Sequence, residues 1–407
     1  MIFGNKKHIT ETQFQYLICL GAGINQLPII QKGKELGYKI IAVDKDSFAP
    51  GFFEADIQIQ CSLKHPGKII KLIKENLPTD LIAGSVCRSF GAINLGASYV
   101  ARSLLLPGLH PEIIKKFRNK KLIKKYAEEA GVKTAGTVYT GNLDYRSKAT
   151  GINFPVIIKP LSGHAKENVM LIHSFAELEK KFPEGIQDQR WIVENFIEGD
   201  EVTVLGMVKD GNFHLGSISD KIKDPQTFTE IMHIYPSNID ESSKSLILTY
   251  MQRLADQFGI KNGPMVAEFI VKDQTPYLIE CNPEIGGEFI ADVMIPNGTG
   301  TDYFKNFILL STSRKDEVNF QHEVKPVVIR FLMPDDGTLD GIHFPDELSN
   351  HSGFLFSRML KNKNSNLKKI RRNLDRPCVF AITGDDREAL IHEANSLAAK
   401  IEVVYHE

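Results

Sequence analysis

Short apolar runs alternate with amphipathic segments over the first part of the chain. The runs Tyr16–Leu20, Tyr38–Val43 and Asp80–Gly84 each predict a strand, and Pro66–Leu77 and Phe90–Leu104 each predict a helix. Isoleucines and leucines recur on one face of the first of these helices, as the helical period requires. Strands that are apolar throughout are typical of a parallel sheet covered on both faces, so this part predicts an α/β domain.

The pattern changes from residue 119 onward. Amphipathic helices are predicted to begin near Lys120 and to span Asp240–Phe258, and a glycine follows each of them. Apolar runs predict strands at Phe154–Lys159, Val169–Ile172, Arg190–Phe196, Glu201–Val208, Met265–Val271 and Pro276–Glu280. The last two flank a short polar segment and are expected to form a hairpin.

The last ninety residues predict a separate small lobe. Lys325–Met333, Pro377–Thr383 and Ile401–Tyr405 indicate strands, and Asp385–Lys400 indicates a helix. The basic stretch Arg358–Arg376 is expected to be a hairpin or a loop.

Composition adds limits to this picture. The chain has 407 residues, 42% hydrophobic and 24% charged, which excludes a collagen-like or disordered protein. At roughly 150 residues per domain, this length predicts about two or three domains. The formal net charge of −1 does not favour a nucleic-acid or membrane-surface partner.

The absence of long apolar runs, the N-terminal segment and the cysteines lead us to expect a cytoplasmic protein. No apolar run approaches the roughly 18–20 residues of a membrane span, and MIFGNKKHITETQ lacks the apolar core of a signal peptide. The five cysteines are scattered and show no zinc-binding spacing. Reduced, mostly buried thiols are therefore expected.

A glycine turn follows the first predicted strand. Gly21-Ala22-Gly23 is half of a dinucleotide-binding fingerprint, in which glycines let a pyrophosphate approach the N-terminus of a helix. Asp44 lies at a suitable distance for a ribose acid, but Gln26 occupies the third glycine position. Two interpretations stay open: a dinucleotide site, or a close turn in a doubly wound sheet.

A second group of polar residues occurs in order through the middle of the chain. Lys120 begins a helix, and Lys159 ends a strand beside a turn-rich stretch. A lysine in such a place can reach phosphate oxygens as a point charge. Glu194 and Glu201 follow in IVENFIEGDE.

The group ends with two acids and an amide on neighbouring predicted strands. Glu268 lies in MVAEFIV, and Glu280 and Asn282 lie in YLIECNP, two residues apart and so on one face. These oxygen ligands fit Mg²⁺ held together with nucleotide phosphates. The alternative is that each acid merely ends a strand or pairs with a lysine.

In this order the motifs resemble the ATP-grasp superfamily over nearly the whole chain. The matching segments are GAG with LGYKIIAVDKDSFAPGFFEAD, NKKLIKKYAEEAGV, FPVIIKP, VENFIEGDE and VAEFIV with YLIECNP. The resemblance implies an α/β chain in three parts. These are a Rossmann-like domain at 1–115, a two-lobed α+β ATP-grasp domain at 116–315 with lobes at about 116–190 and 191–315, and a small α+β lobe at 316–407. The last part is similar to that of the L-amino-acid-ligase and carbamoyl-phosphate-synthetase-like branch.

The resemblance also implies roles for individual residues. The implied ATP contacts are Lys120, Lys159, the phosphate loop Ser162-Gly163-His164, the hinge residues Glu194, Asn195 and Phe196, and the ribose acid Glu201. The implied magnesium ligands are Glu268, Glu280 and Asn282. Gly286 and Gly287 correspond to the acceptor pocket, or else form a simple turn.

Two features depart from the family pattern. The phosphate loop PLSGHAKEN has one glycine where many relatives are glycine-rich, so His164 could take a contact that a backbone amide usually makes. Glu284 stands where many relatives carry an arginine that contacts the acyl phosphate, and it could instead bind a metal ion or a substrate amine. Lys221 and Arg330 are candidates for the missing positive charge, and together with Lys159 they are the candidate catalytic residues.

The resemblance implies an ADP-forming ligase that uses ATP and Mg²⁺ or Mn²⁺ to couple a small carboxylate to an amine. Neither nucleic acid nor a membrane is an expected partner, and a homodimer is left open. Three alternatives remain: a carboxylase or carbamoyl-phosphate-like enzyme, a non-catalytic nucleotide-binding protein, and, least favoured, an NAD-dependent oxidoreductase.

Overall fold

The computed structural model describes residues 2–3, 14–143, 152–161, 169–182, 186–224, 228–368 and 373–406. Within these ranges no helix combines the length and the apolar character needed to cross a membrane. All five cysteines are free thiols, as expected from their scattered positions.

The first part of the chain forms a five-stranded sheet in the order β1-β4-β3-β2-β5. Its elements are β1 (Ile2–Phe3), β2 (Tyr16–Leu20), α1 (Leu27–Glu35), β3 (Lys39–Asp44), β4 (Ile57–Gln60), α2 (Pro66–Asn76), β5 (Ile82–Val86), α3 (Gly91–Ser103) and α4 (Pro111–Lys116). Strands β2 to β5 are parallel, and only the short β1 pairs antiparallel. The predicted parallel sheet is confirmed.

Alternation along the strands explains why helices cover both faces of this sheet. Leu17 and Ile40 pack in the same core as Ile30 of α1. Their neighbours Ile18 and Ile41 point the other way and pack in the core that contains residues of α2 and α3. Since successive strand residues face opposite sides, continuous apolar strands need cover on both.

A four-stranded antiparallel sheet follows, in the order β6-β9-β7-β8. Its region contains α5 (Lys120–Glu129), β6 (Thr137–Leu143), β7 (Val156–Pro160), β8 (Met170–Ile172), α6 (Phe175–Lys181) and β9 (Ile186–Asn195). The start of α6 is fixed by two reciprocal hydrogen bonds: Ser174 Oγ accepts from Glu177 N at 3.2 Å, and Glu177 Oε2 accepts from His173 N at 2.9 Å.

An eight-stranded antiparallel sheet completes the fold, in the order β14-β13-β10-β11-β12-β15-β19-β17. Its first elements are β10 (Asp200–Lys209), β11 (Asn212–Lys223), β12 (Glu230–Tyr235), α7 (Glu241–Phe258), β13 (Gly263–Lys272), β14 (Thr275–Asn282), α8 (Ile295–Thr299) and α9 (Tyr303–Leu310). The remaining elements are β15 (Val327–Phe331), β16 (Gly337–His343), α10 (Asp346–Ser349), β17 (Phe354–Met359), β18 (Asn366–Leu367), β19 (Cys378–Thr383), α11 (Arg387–Ala399) and β20 (Glu402–Tyr405). Strands β18, β16 and β20 form a small separate sheet.

Three strands of the large sheet come from the chain beyond residue 315. The segment predicted as a separate C-terminal lobe therefore shares its main sheet with the segment before it. Part of the predicted basic hairpin or loop forms the edge strand β17 and the short β18.

Helix α7 covers one face of the large sheet and leaves the other face for polar groups. It packs in one core with Val202, Val204 and Phe269. Alternation places Glu201 and Glu268 on the opposite face. Asp240 caps the start of the helix, where its Oδ1 accepts from Ser243 N at 2.9 Å. The helix ends before Gly259, whose φ is 76°.

Candidate active site

A cavity of about 130 Å³ lies where the four-stranded and the eight-stranded sheets meet. Apolar side chains of both sheets, among them Ile157, Ile270 and Ile279, form part of its wall. Eight of the predicted ATP or metal residues line it together: Lys120, Lys159, Glu194, Asn195, Phe196, Glu201, Glu268 and Glu280. The structure thus brings to one place residues that are up to 160 positions apart.

Glu194, at the end of β9, is clamped between two lysines. Its Oε1 lies 2.7 Å from Lys124 Nζ and its Oε2 lies 2.7 Å from Lys159 Nζ. Burial opposes the charged carboxylate, but the charges of Lys159 and Lys124 outweigh burial and hold the pKa of Glu194 below its usual value. A buried, doubly paired carboxylate is a fixed acceptor for hydrogen bonds once a ligand displaces a lysine.

Lys124 was not among the predicted site residues. It lies one helical turn after Lys120 on α5, and its ammonium also donates to the carbonyl of Ala135. The spacing of four between two lysines is the signal that could have found it, since such residues share a helix face. Burial lowers the pKa of both ammonium groups.

Two predicted metal ligands face each other across the β13–β14 hairpin. Glu268 pairs in register with Glu280, and Asn282 Nδ2 donates to Glu280 Oε1 at 2.9 Å. The donation leaves the amide oxygen of Asn282 available as a ligand. Two carboxylates and an amide oxygen at one strand end fit a hard divalent cation such as Mg²⁺.

Lys221 on β11 lies at the centre of a buried group of acids. Its Nζ is 2.6 Å from Glu268 Oε1, 2.7 Å from Glu230 Oε1 and 3.0 Å from Glu201 Oε1. Burial disfavours the ammonium, but Glu230, Glu268 and Glu201 outweigh it and raise the pKa of Lys221 well above its ordinary value. Lys223, two residues later, also pairs with Glu201.

Glu230 is a second site residue that the sequence did not reveal, and His233 lies close to it. A β-bulge at the start of β12 pairs Lys223 with Glu230 and Lys221 with His233, so both β12 residues share a face although they are three apart. Glu230 Oε2 lies 3.8 Å from His233 Nε2, and both ring nitrogens of this buried histidine lack a hydrogen-bond partner among the described residues.

Glu284 does not lie beside the predicted metal ligands Glu268 and Glu280, and instead contacts helix α3 of the N-terminal domain. Its Oε1 accepts from Gly91 N, at the first turn of α3, at 3.0 Å. Burial, together with the charge of Glu280, raises the pKa of Glu284 to about 7 against the opposing effect of this hydrogen bond. Gly286 has a φ of 84° and lies against Leu205, while Gly287 is exposed.

The structure does not bring Arg330 to this site. Its neighbours Ile329 and Phe331 face the core beside the site, whereas Arg330 points to the other face, where its Nε donates to Asn395 of α11 at 3.3 Å. Its role as a compensating cation is not supported by this placement. The predicted phosphate-loop residues Ser162, Gly163 and His164 lie outside the described residues.

The side chains of Asp44 and Gln26 fill the space around the N-terminal glycine turn. Both oxygens of Asp44 accept backbone N–H groups, from Ala22 at 2.9 Å and from Asp46 at 3.0 Å. Gln26 lies against Gly21 and Gly23, in the space where a pyrophosphate would approach, and donates to the carbonyl of Arg88 at 2.8 Å. This arrangement favours the simple close turn over a dinucleotide site.

From this geometry we expect no binding of a nicotinamide dinucleotide. Titration of NADH at micromolar protein should leave the cofactor fluorescence unchanged, because both oxygens of Asp44 already accept backbone N–H groups and Gln26 occupies the space that a pyrophosphate needs. A saturable rise in fluorescence would contradict this interpretation and restore the oxidoreductase alternative.

Comparison with known proteins shows which families parts of the chain resemble. A family model described as the ATP-grasp domain matches residues 152–292. A second, described as L-amino acid ligase C-terminal domain 2, matches residues 330–406. The chain therefore contains an ATP-grasp domain.

The individual relatives that match this chain are distant. A D-alanine–D-alanine ligase of Coprothermobacter proteolyticus is 28% identical over 198 residues, covering 44% of this chain and 62% of the relative. Dapdiamide A synthase of Enterobacter agglomerans is 23% identical over 279 residues, covering 64% of each protein. The alignments therefore span less than two thirds of these two relatives.

The fold is shared over almost the whole chain with a solved structure. The L-amino acid ligase from Bacillus licheniformis superposes with a TM-score of 0.82 at 18% identity, covering 98% of this chain and 100% of that one. The resemblance predicted from the sequence motifs is confirmed at the level of family and fold.

The clamp on Glu194 can be tested by removing one of its lysines. We expect Lys124→Met to lower the free energy of unfolding by about 1–3 kcal/mol, because the buried carboxylate loses a charged hydrogen-bond partner. Lys125→Met is the matched control on the exposed side of α5, where Lys125 lies 3.7 Å from Glu129, and it should change stability by less than about 0.5 kcal/mol. Equal losses for the two variants in urea denaturation would argue against the clamp.

Proposed function

We propose that the chain is an ADP-forming ligase that activates a small carboxylate with ATP and couples it to an amine. The observation that carries this proposal is the single cavity in which lysines 120 and 159, the acids 194 and 201, and the facing pair Glu268 and Glu280 come together. Cations suited to phosphate oxygens, acceptors suited to adenine and ribose, and hard oxygen ligands are the groups that phosphoryl transfer from ATP requires.

Each group has a place in the proposed binding of ATP. The apolar wall and the backbone of Asn195 and Phe196 take the adenine, Glu201 accepts from the ribose hydroxyls, and Lys120 and Lys159 contact phosphate oxygens. Glu268, Glu280 and Asn282 hold Mg²⁺, which would supply charge neutralisation for the transferring phosphoryl group. Lys159, now paired with Glu194, exchanges this partner for the nucleotide.

The proposed reaction has two steps. An oxygen of the carboxylate attacks the γ-phosphorus of ATP, the bond from that phosphorus to the β,γ-bridging oxygen breaks, and ADP leaves. The amine nitrogen then attacks the acyl carbon and loses a proton, and the carbon–oxygen bond to phosphate breaks to release inorganic phosphate. Lys221 is a positioning residue in this account, since it holds Glu201, Glu230 and Glu268 in place.

Hydroxylamine trapping tests the proposal without knowledge of the natural amine. Purified protein with ATP and Mg²⁺ is screened against pools of amino acids and small carboxylic acids, with hydroxylamine as a general nucleophile. We expect ADP and a hydroxamate in equal amounts with at least one acid. ADP formation that depends on bicarbonate alone would favour the carboxylase alternative, and nucleotide binding without turnover on any acid would favour a non-catalytic role.

A further inference from the structure

A second cavity, of about 70 Å³, lies between the N-terminal sheet and the end of the β13–β14 hairpin. Its walls come from the end of β5, from α3, from residues 262–264 and 283–285, and from the end of α9. Since one water molecule needs about 10–15 Å³ of cavity volume, the space admits a small organic group.

Charge in this cavity is unbalanced. Glu284 supplies a carboxylate, and no lysine, arginine or histidine is among the described residues that line the space. The other polar groups are neutral, such as Ser85, Asn94 and Ser98, and much of the wall is apolar. A partly buried carboxylate without an opposite charge is poorly stabilised, so a cation that entered would be attracted to it.

The cavity also lies next to Asn282, one of the predicted metal ligands of the candidate active site. Pro283 and Glu284, which line it, follow Asn282 directly in the chain. Asn94 Nδ2 donates to the carbonyl of Pro283 at 3.1 Å, and Arg88 forms two bonds to Asp292, at 2.8 and 3.0 Å. These contacts fix the segment that carries Glu284 against the N-terminal sheet, so the carboxylate has a defined position.

We propose that this cavity receives the far end of the amine substrate and that Glu284 selects an acceptor ending in a second ammonium group, such as a short diamine, over one ending in a carboxylate. The inference rests on the proposed function, because it assigns the acceptor of that same reaction. An ammonium gains an ion pair in a site of low polarity, whereas a carboxylate would face Glu284 with no cation to balance it.

Three probes of similar length separate these possibilities. Propane-1,3-diamine, n-propylamine and β-alanine each carry an amine and differ at the far end, which is cationic, apolar or anionic. Calorimetric titration into the wild-type protein, with and without a non-hydrolysable ATP analogue, should give a diamine affinity at least about tenfold higher than that for β-alanine. Equal affinities, or tighter binding of β-alanine, would overturn the inference.

The variant Glu284→Gln identifies the group responsible. It should reduce the diamine preference to within about twofold, while the surface control Glu54→Gln, which removes a carboxylate paired with Lys34, should keep the preference intact. A preference retained in a folded Glu284→Gln protein would contradict the role of Glu284. If the variant does not fold, the wild-type comparison still decides whether the cavity prefers a cationic end.

Failure of this inference can be told apart from failure of the proposed function. Hydroxamate formation by the wild-type protein without any preference among the three probes would remove the acceptor assignment and leave the ligase intact. Diamine-selective binding without hydroxamate formation on any acid would support the cavity assignment and remove the ligase.

Discussion

Glu280→Gln is expected to lower ATP-dependent phosphate release by roughly 10²–10³-fold, the range for loss of one charge-stabilising group at a reacting centre. Glutamine keeps the size of the side chain and its hydrogen bond with Asn282, but it removes the negative charge that the proposed Mg²⁺ requires. The effect should appear as a fall in kcat measured by coupled phosphate release at saturating ATP, with a higher concentration of Mg²⁺ needed for half-maximal rate.

A control variant lies in the same hairpin. Asp273→Asn removes a carboxylate from the turn between β13 and β14, where Asp273 has a φ of 47° that asparagine tolerates. This variant should retain the wild-type rate. Near-normal turnover in Glu280→Gln, with normal dependence on Mg²⁺, would contradict the metal assignment.

Lys221→Met is expected to cost about 3–5 kcal/mol of folding stability, because it leaves buried carboxylates without their shared cation. The exposed Lys272→Met, at the end of β13, should change stability by less than about 0.5 kcal/mol. Guanidinium denaturation of both variants beside the wild type measures the two free energies of unfolding.

The loss in Lys221→Met should depend on pH with a definite sign. Without the ammonium, the buried carboxylates repel one another, so they destabilise the folded state most at high pH, where all are ionised, and less as they gain protons. The stability deficit should therefore be smaller at pH 5 than at pH 8. A deficit independent of pH would indicate lost packing and not unbalanced charge.

Much of the fold follows from local patterns in the sequence. The apolar strands, the serine and glutamate that begin α6, and the glycine after α7 each depend on residues close together, so their signals are present in short segments. The predicted polar hairpin is formed with Asp273 and Gln274 at positive φ, a turn that matches the twist of its strands.

The cavity residues were predictable for a related reason. Lys159, Glu194 and Glu280 lie near strand ends within short motifs. The resemblance to the ATP-grasp superfamily then implied that they share one nucleotide-binding site. Lys124 lacked such a motif and looked like one more charge in a basic helix. Its spacing of four from Lys120 and its burial against Glu194 distinguish it from Lys125.

Other features of the site depend on structure that no local pattern reveals. Alternation would place Glu230 and His233 on opposite faces, and the bulge at the start of β12 reverses this expectation. The contact of Glu284 with Gly91 joins positions 193 apart. Its charge makes Arg330 a candidate for the missing cation, but the strand period of two directs its side chain away from the site.

Isotope transfer tests the acyl-phosphate chemistry most directly. A carboxylic acid that supports hydroxamate formation is labelled with ¹⁸O in its carboxylate and incubated with the protein, ATP, Mg²⁺ and an amine, and the phosphate released is examined by mass spectrometry. We expect each phosphate to carry one ¹⁸O from the carboxylate. Phosphate released without the label, alongside amide formation, would contradict it.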